Sequence, residues 1–261
     1  MKTITSRDNP AVKRLHALAH SARERRSEGR TLLDGAHLVR AALDAGWPLR
    51  ELVASDQGLG RTEIADLLER CAGVPALHLP DALFAHVSPV DTPSGLLAVI
   101  DLPAPPSTPA FTESLLVLDG VQDAGNLGTI LRTAAAAGVR DVLLTPGCAQ
   151  AWSPRVLRAG MGGHFCLRLH EHADVAVLLQ GYPGQILATG LGAGARGLYE
   201  TDLRGTVAWL FGAEGGGLSA AVAALATDTV VIPMPGAVES LNVAAAAAVC
   251  LFEQVRQHRA G

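Results

Sequence analysis

The sequence predicts an α/β protein whose second half contains a largely parallel sheet flanked by helices. From residue 114 onwards, short apolar runs alternate with helical segments, which favours parallel strands joined by crossover helices. The first run, Ser114–Leu118, is continuously apolar, as expected of a strand that is buried on both faces. Ligands of such sheets bind where strands end in loops, so we expect the functional residues in the loops that follow the strands.

The amino-acid composition excludes several classes of protein. The chain has 261 residues, of which 49% are hydrophobic and 18% charged, so it can form a sizeable core and is not intrinsically disordered. The longest apolar run, Val243–Phe252, is about half as long as a membrane-spanning helix, so we expect no membrane span. The N-terminus has no apolar targeting segment, and the four cysteines have no paired spacing. These features predict a cytoplasmic protein without disulfide bonds.

A proline-rich stretch divides the chain. Residues 101–109 contain four prolines, a density that favours an extended spacer over a helix or a central strand. We therefore predict a first domain over residues 1–103, a linker over 104–111 and a second domain over 112–261.

The first domain is predicted to be a compact α/β sandwich. Asn9 and Pro10 begin a helix that extends to about Ala22, because a capping residue is followed by proline in the first turn. The remaining predicted elements are strands Thr31–Leu33, Leu49–Ala54, Ala76–Leu79 and Leu96–Ile100, helices Ala36–Ala45 and Thr62–Cys71, and a short helix after Pro80.

The second domain continues the alternation after its first strand. Its predicted helices are Asn126–Ala137, Pro154–Ala159 and an Ala-rich closing helix from Asn242 to about His258, and its strands are Val142–Leu144, Phe165–Leu169, Gln185–Thr189, Val207–Phe211 and Thr229–Ile232. Gly192–Gly197 matches the G-x-G-x-x-G dinucleotide-binding pattern, but the turn-rich sequence after it predicts a surface loop instead. His170 and His172 lack the spacing of a zinc site and are predicted to be surface polar groups.

The net charge of −4 is unevenly distributed. Residues 1–50 contain ten Lys or Arg and five Asp or Glu, whereas the rest of the chain is acidic. The basic side chains at the front of the chain are Lys13, Arg14, Arg23, Arg25, Arg26 and Arg30. Such a cluster is either a phosphate-binding surface or a solvated helix face, and charge alone does not separate the two.

Three loops carry polar residues beside glycine or proline. The first, Asp119–Arg132, joins a strand to a helix, with Asn126 placed to cap that helix and Arg132 two turns further on. The second, Phe211–Ser219, has four glycines around Glu214, and such glycines let main chain approach a ligand closely. The third, Ile232–Val243, places a Ser-x-Asn pair ahead of an apolar helix. Each loop alone is also compatible with ordinary turn and cap chemistry.

Together, the three loops resemble the motifs of the SpoU, or TrmH, family of RNA ribose 2′-O-methyltransferases, within the knotted SPOUT class. The matching segments are NLGTILRTA at Asn126–Ala134, FGAEGGGL at Phe211–Leu218 and IPMPGAVESLNV at Ile232–Val243. Ser153–Gly162 resembles a further family block, and Thr5–Lys13 with Leu33–Arg40 resemble the substrate-binding domain found ahead of many catalytic domains of the family.

The resemblance implies a fold and a cofactor. It implies a SPOUT α/β-knot, a mostly parallel sheet with a deep trefoil knot, preceded by the smaller α/β sandwich. It also implies S-adenosylmethionine, held by Thr189, Gly212, Ile232, Met234 and Leu241. Family members are homodimers, and the closing helix over Val243–Phe252 is a candidate dimer face. The alternative is that this helix is buried within its own subunit.

The resemblance also implies the residues that carry the reaction. Arg132 is the key catalytic residue by motif match, assisted by Asn126, Glu214, Ser240 and Asn242. In the family the arginine is often proposed as the base, but a guanidinium stays protonated in proteins. We therefore favour a role in holding the phosphate beside the target ribose and stabilising the developing alkoxide.

The implied substrate is structured RNA. Phosphate contacts are expected from the first domain and from the Ser153–Gly162 block, at Arg7, Lys13, Arg14, Arg25, Arg26 and Arg158. Ribosomal RNA is favoured and transfer RNA stays open, and no metal ion is expected. Two other classes remain as alternatives, a non-catalytic RNA-binding or assembly protein with the same fold and a small-molecule enzyme that uses the same sheet.

Overall fold

The structure is a computed structural model that describes residues 1–107, 111–190 and 194–260. It divides into two compact units. The first consists of Met1–Ala104 together with Trp152–Phe165, and the second of Pro105–Ala151 together with the chain from Cys166 onwards. The predicted linker, 104–111, begins at this division, and its residues 108–110 lie outside the described residues.

Twelve strands and eleven helices are assigned in the described part of the chain. The strands are β1 (Lys2–Thr3), β2 (Arg30–Asp34), β3 (Leu49–Ser55), β4 (Ala76–Leu79), β5 (Leu96–Asp101), β6 (Leu115–Asp119), β7 (Asp141–Leu144), β8 (Arg168–Glu171), β9 (Gln185–Thr189), β10 (Arg196–Gly197), β11 (Val207–Gly212) and β12 (Asp228–Val231). The helices are α1 (Pro10–His20), α2 (Ala22–Glu28), α3 (Ala36–Asp44), α4 (Asp56–Leu59), α5 (Thr62–Arg70), α6 (Asp81–Val87), α7 (Ala124–Ala136), α8 (Pro154–Gly160), α9 (Val175–Leu178), α10 (Ala220–Ala223) and α11 (Val243–Ala260).

The first unit contains a five-stranded mixed sheet in the order β1-β4-β3-β5-β2. β1, β4 and β3 run parallel, and β5 pairs antiparallel with both β3 and β2. The chain before β2 forms two helices where one was predicted, because Ser21 ends α1 and its side chain caps α2 by accepting from the backbone N–H of Glu24. Apolar residues of α1 and α6 pack with those of the strands in one core cluster.

The segment Trp152–Phe165, predicted to belong to the second domain, packs within the first unit. The buried Thr31 hydroxyl donates to the carbonyl of Trp152 at 2.7 Å. The Trp47 ring stacks on Trp152 at a centroid distance of 5.3 Å and also contacts Phe165 at 5.2 Å. Trp152 is buried in these contacts, so packing rather than position in the chain decides the unit to which α8 belongs.

The second unit contains a seven-stranded sheet in the order β10-β12-β9-β11-β6-β7-β8. All of its described pairs are parallel, which confirms the predicted parallel sheet. β6 lies between β11 and β7, and its five residues are all buried. The carboxyl ends of β6 and β11 are neighbours, because Gly212 pairs with Asp119 in the register. The loops after these strands therefore start side by side.

Several predicted boundaries differ from the structure. β8 begins at Arg168 rather than Phe165, because Gly163–Cys166 forms a short 3-10 helix. Residues 192 and 193 of the G-x-G-x-x-G segment lie outside the described residues, and the helix that follows the segment, Leu198–Glu200, has only three residues. No helix in the described ranges is long and apolar enough to span a bilayer.

Candidate active site

Asp119, at the end of β6, connects two neighbouring loops. Its carboxylate accepts from the Thr145 hydroxyl at 2.8 Å and from the backbone N–H of Ser219 at 2.7 Å. Thr145 follows β7, and Ser219 caps α10 after the glycine-rich loop. Asp119 was not among the predicted site residues, although a carboxylate at the end of a fully apolar strand is costly to bury without partners. Asp119 is thus a positioning residue for the loops around it.

The glycine-rich loop after β11 closes on itself. The backbone groups of Ala213 and Gly217 exchange two hydrogen bonds of 3.1 and 2.9 Å, which leaves Glu214 at the exposed tip. Gly217 has a φ of +64°, which few other residues adopt. A Cβ on Gly212 would lie 2.1 Å from the carbonyl carbon of Gly217. Glycine at position 212 is therefore required for the loop to fold back over the end of β11.

A chain of hydrogen bonds joins the three loops. The Asn126 side-chain amide donates to Glu214, and the Asn126 carbonyl oxygen accepts from the Asn242 side-chain amide at 3.0 Å. The Asn242 carbonyl oxygen in turn accepts from the backbone N–H of Ala244 at 2.9 Å, at the start of α11. Each amide donates at one end and accepts at the other. The hydrogen bonds therefore all run in the same direction, from the backbone N–H groups of α11 to the Glu214 carboxylate.

The prediction that Asn126 caps its helix is wrong. α7 begins at Ala124, and the capping residue is Asp123, whose side chain accepts from the backbone N–H of Asn126 at 2.7 Å. Asn126 lies in the first turn of the helix, so its own side chain is free to reach Glu214 and Asn242. The sequence shows both Asp and Asn near the helix start, and either can act as a cap.

A pocket of about 590 Å³ lies where the glycine-rich loop meets the loop before α11. Its lining includes every residue predicted to hold the cofactor and three of those predicted to act in the reaction: Thr189, Gly212, Glu214, Ile232, Met234, Ser240, Leu241 and Asn242. Thr189 donates its hydroxyl to the Leu210 carbonyl at 3.2 Å, so this hydroxyl is already committed to the neighbouring strand.

The lining has the chemistry of a small-molecule site. Ile232, Met234 and Leu241 provide apolar surface, while the glycine-rich loop exposes main chain. Glu214 is the ionisable side chain of this lining, and it lies at the tip of the loop. A mostly apolar concavity with a few convergent polar groups is typical of a cofactor pocket.

Arg132 lies two turns after Asn126 on α7 and is exposed. It shares the exposed face of the helix with Thr129 and Ala136, whereas Ile130 and Leu131 are buried. Arg132 does not line the pocket, and no hydrogen bond or ion pair holds its side chain within the described residues. The structure thus brings Asn126 and the pocket residues together and leaves Arg132 available to a ligand outside the pocket.

Two of the arginines expected to contact phosphate are engaged within the first unit. Arg25 is buried, and its guanidinium donates to the carbonyls of Leu18 and Ala19 at 2.9 and 3.3 Å. Burial lowers the pKa of this guanidinium. The Arg25 side chain thus closes α1, and its burial argues against the predicted contact with RNA. Arg14 forms ion pairs with Glu51 and Glu28.

Arg158 is also part of an ion pair. Its Nη1 lies 3.0 Å from Oδ1 of Asp34, whose side chain is completely buried, while the Arg158 side chain is 42% exposed. Burial raises the pKa of Asp34, against the opposing effects of Ser94, Arg158 and Ser88. Arg158 therefore compensates a buried carboxylate, and its contact with RNA stays a prediction. Sequence alone gave no sign of this pair, whose members are 124 positions apart.

The other predicted phosphate contacts are at the surface. Arg7 and Arg26 are exposed, and the exposed Lys13 lies 3.0 Å from Asp8, which is also exposed. Exposed pairs of this kind contribute little to stability and exchange readily for another anion.

The prediction that His170 is a surface group is wrong. Its ring is buried and lies 3.1 Å from Asp141, which also receives hydrogen bonds from Arg168. Burial alone would raise the pKa of Asp141, but Arg168 and His170 lower it to about 2. The group ties β7 to β8 and lies away from the pocket lining. Within the described ranges, no group of His, Cys, Asp and Glu has an arrangement that could hold a metal ion.

A parallel sheet with a cofactor-like pocket and a polar network at its carboxyl edge defines an α/β enzyme. Residues 113–252 match the model of the SpoU rRNA Methylase family, and residues 9–98 match the MRM3-like substrate binding domain. The chain belongs to the SpoU methylase family.

Relatives with known names cover nearly the whole chain. An uncharacterized tRNA/rRNA methyltransferase of Synechocystis is 35% identical over 98% of this chain and 94% of the relative. The 23S rRNA (guanosine(2553)-2′-O)-methyltransferase RlmP of Bacillus subtilis is 34% identical over 97% of this chain and 98% of its own. Among solved structures, the SpoU methyltransferase AviRb of Streptomyces viridochromogenes, in complex with AdoMet, superposes with a TM-score of 0.85 at 26% identity, covering 97% of this chain and 99% of its own.

Proposed function

We propose that this protein transfers a methyl group from S-adenosylmethionine to a ribose 2′-hydroxyl of ribosomal RNA. The observation that carries the proposal is the apolar pocket flanked by the directed chain from Asn242 through Asn126 to Glu214. Full-length similarity to a 23S rRNA 2′-O-methyltransferase supports both the reaction and the substrate class.

The pocket fits S-adenosylmethionine. Its volume of about 590 Å³ lies within the range of small-molecule sites, and AviRb, which shares the fold over nearly its whole length, binds AdoMet. Ile232, Met234 and Leu241 offer apolar surface to an adenine ring, and the main chain at Gly212 offers polar groups to its edge. When bound, the cofactor supplies an electrophilic methyl group.

The polar residues have separate roles. Glu214 accepts from Asn126, which fixes the orientation of the Asn126 amide, and Asn242 holds the other end while capping α11. This rigid network, with Ser240 beside it in the pocket wall, orients the ribose for in-line attack. Arg132, which is exposed and unpaired within the described residues, binds the adjacent phosphate and stabilises the charge that develops on the 2′-oxygen.

Substitution of Arg132 tests the proposed role. We expect Arg132→Ala to lower the methylation rate by about 100-fold or more, the usual loss when a charge-stabilising donor is removed. The affinity for S-adenosylmethionine, measured by calorimetry, should stay unchanged because Arg132 is not in the pocket lining. Arg140→Ala is the matched control, since Arg140 is another exposed arginine beyond the end of α7. Full turnover by Arg132→Ala would remove this residue from the mechanism.

Mapping 2′-O-methyl groups in a deletion strain tests the substrate. We expect one ribosomal RNA position to lose its methyl group and to regain it after incubation of the RNA with purified protein and cofactor. A position lost from transfer RNA instead would transfer the proposal to that substrate. Unchanged ribosomal and transfer RNA would contradict the proposed function and favour a non-catalytic RNA-binding role.

The proposal includes a knotted, dimeric and cytoplasmic protein. In the sheet, β11 lies between β9 and β6, although β6 comes before both β9 and β11 in the chain. This order is consistent with the trefoil knot of the SPOUT class. α11 buries Ala244, Ala247 and Leu251 in its own unit but leaves Phe252 49% exposed. This exposed ring supports the dimer face proposed for α11, and sedimentation velocity measures the oligomeric state.

A further inference from the structure

Three histidines of the first unit are stacked at the surface. The ring of His16 lies 4.6 Å from that of His20, both on α1, and 4.4 Å from that of His86 on α6, measured between centroids. His20 is exposed, and His16 and His86 are partly exposed. None of the three rings has a hydrogen bond or ion pair with a protein group in the described part of the chain. Their ring nitrogens therefore remain available to a ligand.

The groups that influence these rings are cationic. Burial lowers the pKa of His20, as do His16, Arg155, His86 and Arg25. Burial also lowers the pKa of His86, followed by His16 and Arg7. No carboxylate acts on either ring in the opposite direction. The site is therefore an accumulation of protonatable and positive groups without a protein counter-ion.

The nearby carboxylates have other partners or are solvated. The elements packed against α1 and α6 are α2, β2 and β3, while Arg155 of α8 acts on His20 and Arg7 on His86. Glu51 of β3 pairs with Arg14. Asp8 pairs with Lys13, Glu28 with Arg14 and Arg30, Asp34 with Arg158, and Asp81 accepts from the backbone N–H of Gln57, while Glu24 is exposed. An anion that approaches the rings is thus not opposed by an unpaired buried carboxylate.

We propose that His16, His20 and His86, together with Arg7 and Arg155, form an RNA-phosphate-binding surface whose affinity for RNA increases as the pH falls. The proposal rests on the function proposed above, because it names a surface that contacts the RNA substrate. It keeps Arg7 from the sequence-based expectation and adds Arg155 and the three histidines, whereas two of the expected arginines are not used. Those at positions 14 and 25 are engaged internally, whereas Arg7 and Arg155 are exposed.

Linkage gives the sign of the pH dependence. In the free protein, burial and neighbouring positive groups lower the pKa values of His20 and His86, which favours the neutral form of both rings. A bound phosphate favours the charged form and raises these pKa values, so RNA binding takes up protons. RNA affinity must therefore increase as the pH falls through the pKa values of the complex. Fixed guanidinium contacts contribute the same at each pH in this range.

The test measures RNA affinity against pH with the full-length protein. A fluorescein-labelled structured rRNA hairpin is titrated at about pH 8 and about pH 6 at constant ionic strength, and we expect the affinity of the unmodified protein to rise about tenfold or more over this interval. The triple variant His16→Gln, His20→Gln, His86→Gln should lose this increase. His37→Gln is the matched control, an exposed histidine on α3 of the same unit, and should retain it.

Two further variants keep the test decisive. His20→Gln alone alters an exposed ring and should reduce the pH dependence even if the triple variant is unstable. Arg155→Gln should weaken binding at both pH values and reduce the salt slope by about one. An unchanged pH dependence in the triple variant, with its fold verified by circular dichroism, would overturn the proposal. Since the assay measures binding without methylation, this result would leave the proposed activity untouched.

Discussion

Replacement of Arg158 by methionine is expected to destabilise the first unit by about 2 kcal/mol at neutral pH. The arginine lies 3.0 Å from the carboxylate of Asp34, whose side chain has no exposed surface. Methionine keeps most of the aliphatic stem that packs on the unit but removes the charge. Asp34 then keeps the Ser88 hydroxyl at 3.4 Å and the Ser94 hydroxyl, both neutral donors.

The magnitude follows from the exposure of the two partners. Removing one member of a fully buried pair costs about 3–5 kcal/mol, whereas an exposed pair contributes about 0–1 kcal/mol. Asp34 is buried and Arg158 is 42% exposed, which places the pair between these limits. A loss of about 2 kcal/mol corresponds to a fall in Tm of about 4–8 °C for a chain of this size.

The loss should also depend on pH. Burial already raises the pKa of Asp34 in the folded protein, and removal of Arg158 raises it further. When the folded pKa exceeds the unfolded one, the carboxyl group costs stability as the pH rises from the unfolded pKa to the folded pKa. In Arg158→Met this window extends to higher pH. The difference in unfolding free energy between variant and parent is therefore larger at about pH 8 than at about pH 5.

Urea titration followed by tryptophan fluorescence measures this loss, because Trp47 and Trp152 both lie in the first unit. Adding Asp34→Asn to Arg158→Met should recover stability, since a neutral amide has no charge to compensate. Arg23→Met, on an exposed arginine of α2, is the control. An Arg158→Met protein as stable as the parent at both pH values would refute this role of Arg158.

Two predictions concern the pocket. Asn126→Ala should lower turnover about tenfold or more, because it breaks the hydrogen bonds to both Glu214 and Asn242. Cofactor affinity should stay within about twofold, because Asn126 does not line the pocket. Radiolabel transfer measures turnover and calorimetry measures affinity, and unchanged turnover would exclude these hydrogen bonds from the reaction. Gly212→Ala should weaken cofactor binding about tenfold or more, because the new Cβ would lie 2.1 Å from the carbonyl carbon of Gly217. The control Gly216→Ala places its Cβ in open space and should bind the cofactor normally. Equal affinities of the two variants would contradict the steric explanation.

The alternation of helices and strands was predictable in the second unit because buried parallel strands have an apolar signal. Leu115–Asp119 and Val207–Gly212 agree with their predicted positions within a residue or two. The pocket residues could also be named, because the motifs that carry them resemble those of the SpoU family. Their position at one edge of the sheet follows from the parallel arrangement itself.

Long-range pairings were not predictable in the same way. Trp152 packs with Trp47 more than 100 positions earlier in the chain, and no local pattern indicates the partner of a buried aromatic ring. The partners of Asp34 and Asp119 were equally unpredictable. A carboxylate among apolar residues indicates that a partner exists but does not identify it. The cap of α7 could not be predicted for a local reason. Asp123 and Asn126 are both suitable capping residues, and only the structure shows that Asp123 has this role.

The partners of the basic side chains in the first unit indicate its RNA-binding surface better than the number of these side chains does. The excess of Lys and Arg in residues 1–50 indicated a phosphate surface, yet Arg14 and Arg25 serve the internal structure. The formal net charge of −4 counts histidine as neutral, so the stacked rings of His16 and His86 add nothing to it. A bound phosphate changes that count, because it raises the pKa of a neighbouring imidazole. The cationic surface of the first unit is therefore defined partly by groups that acquire their charge when RNA binds, and no sum over the sequence at a fixed pH can include them.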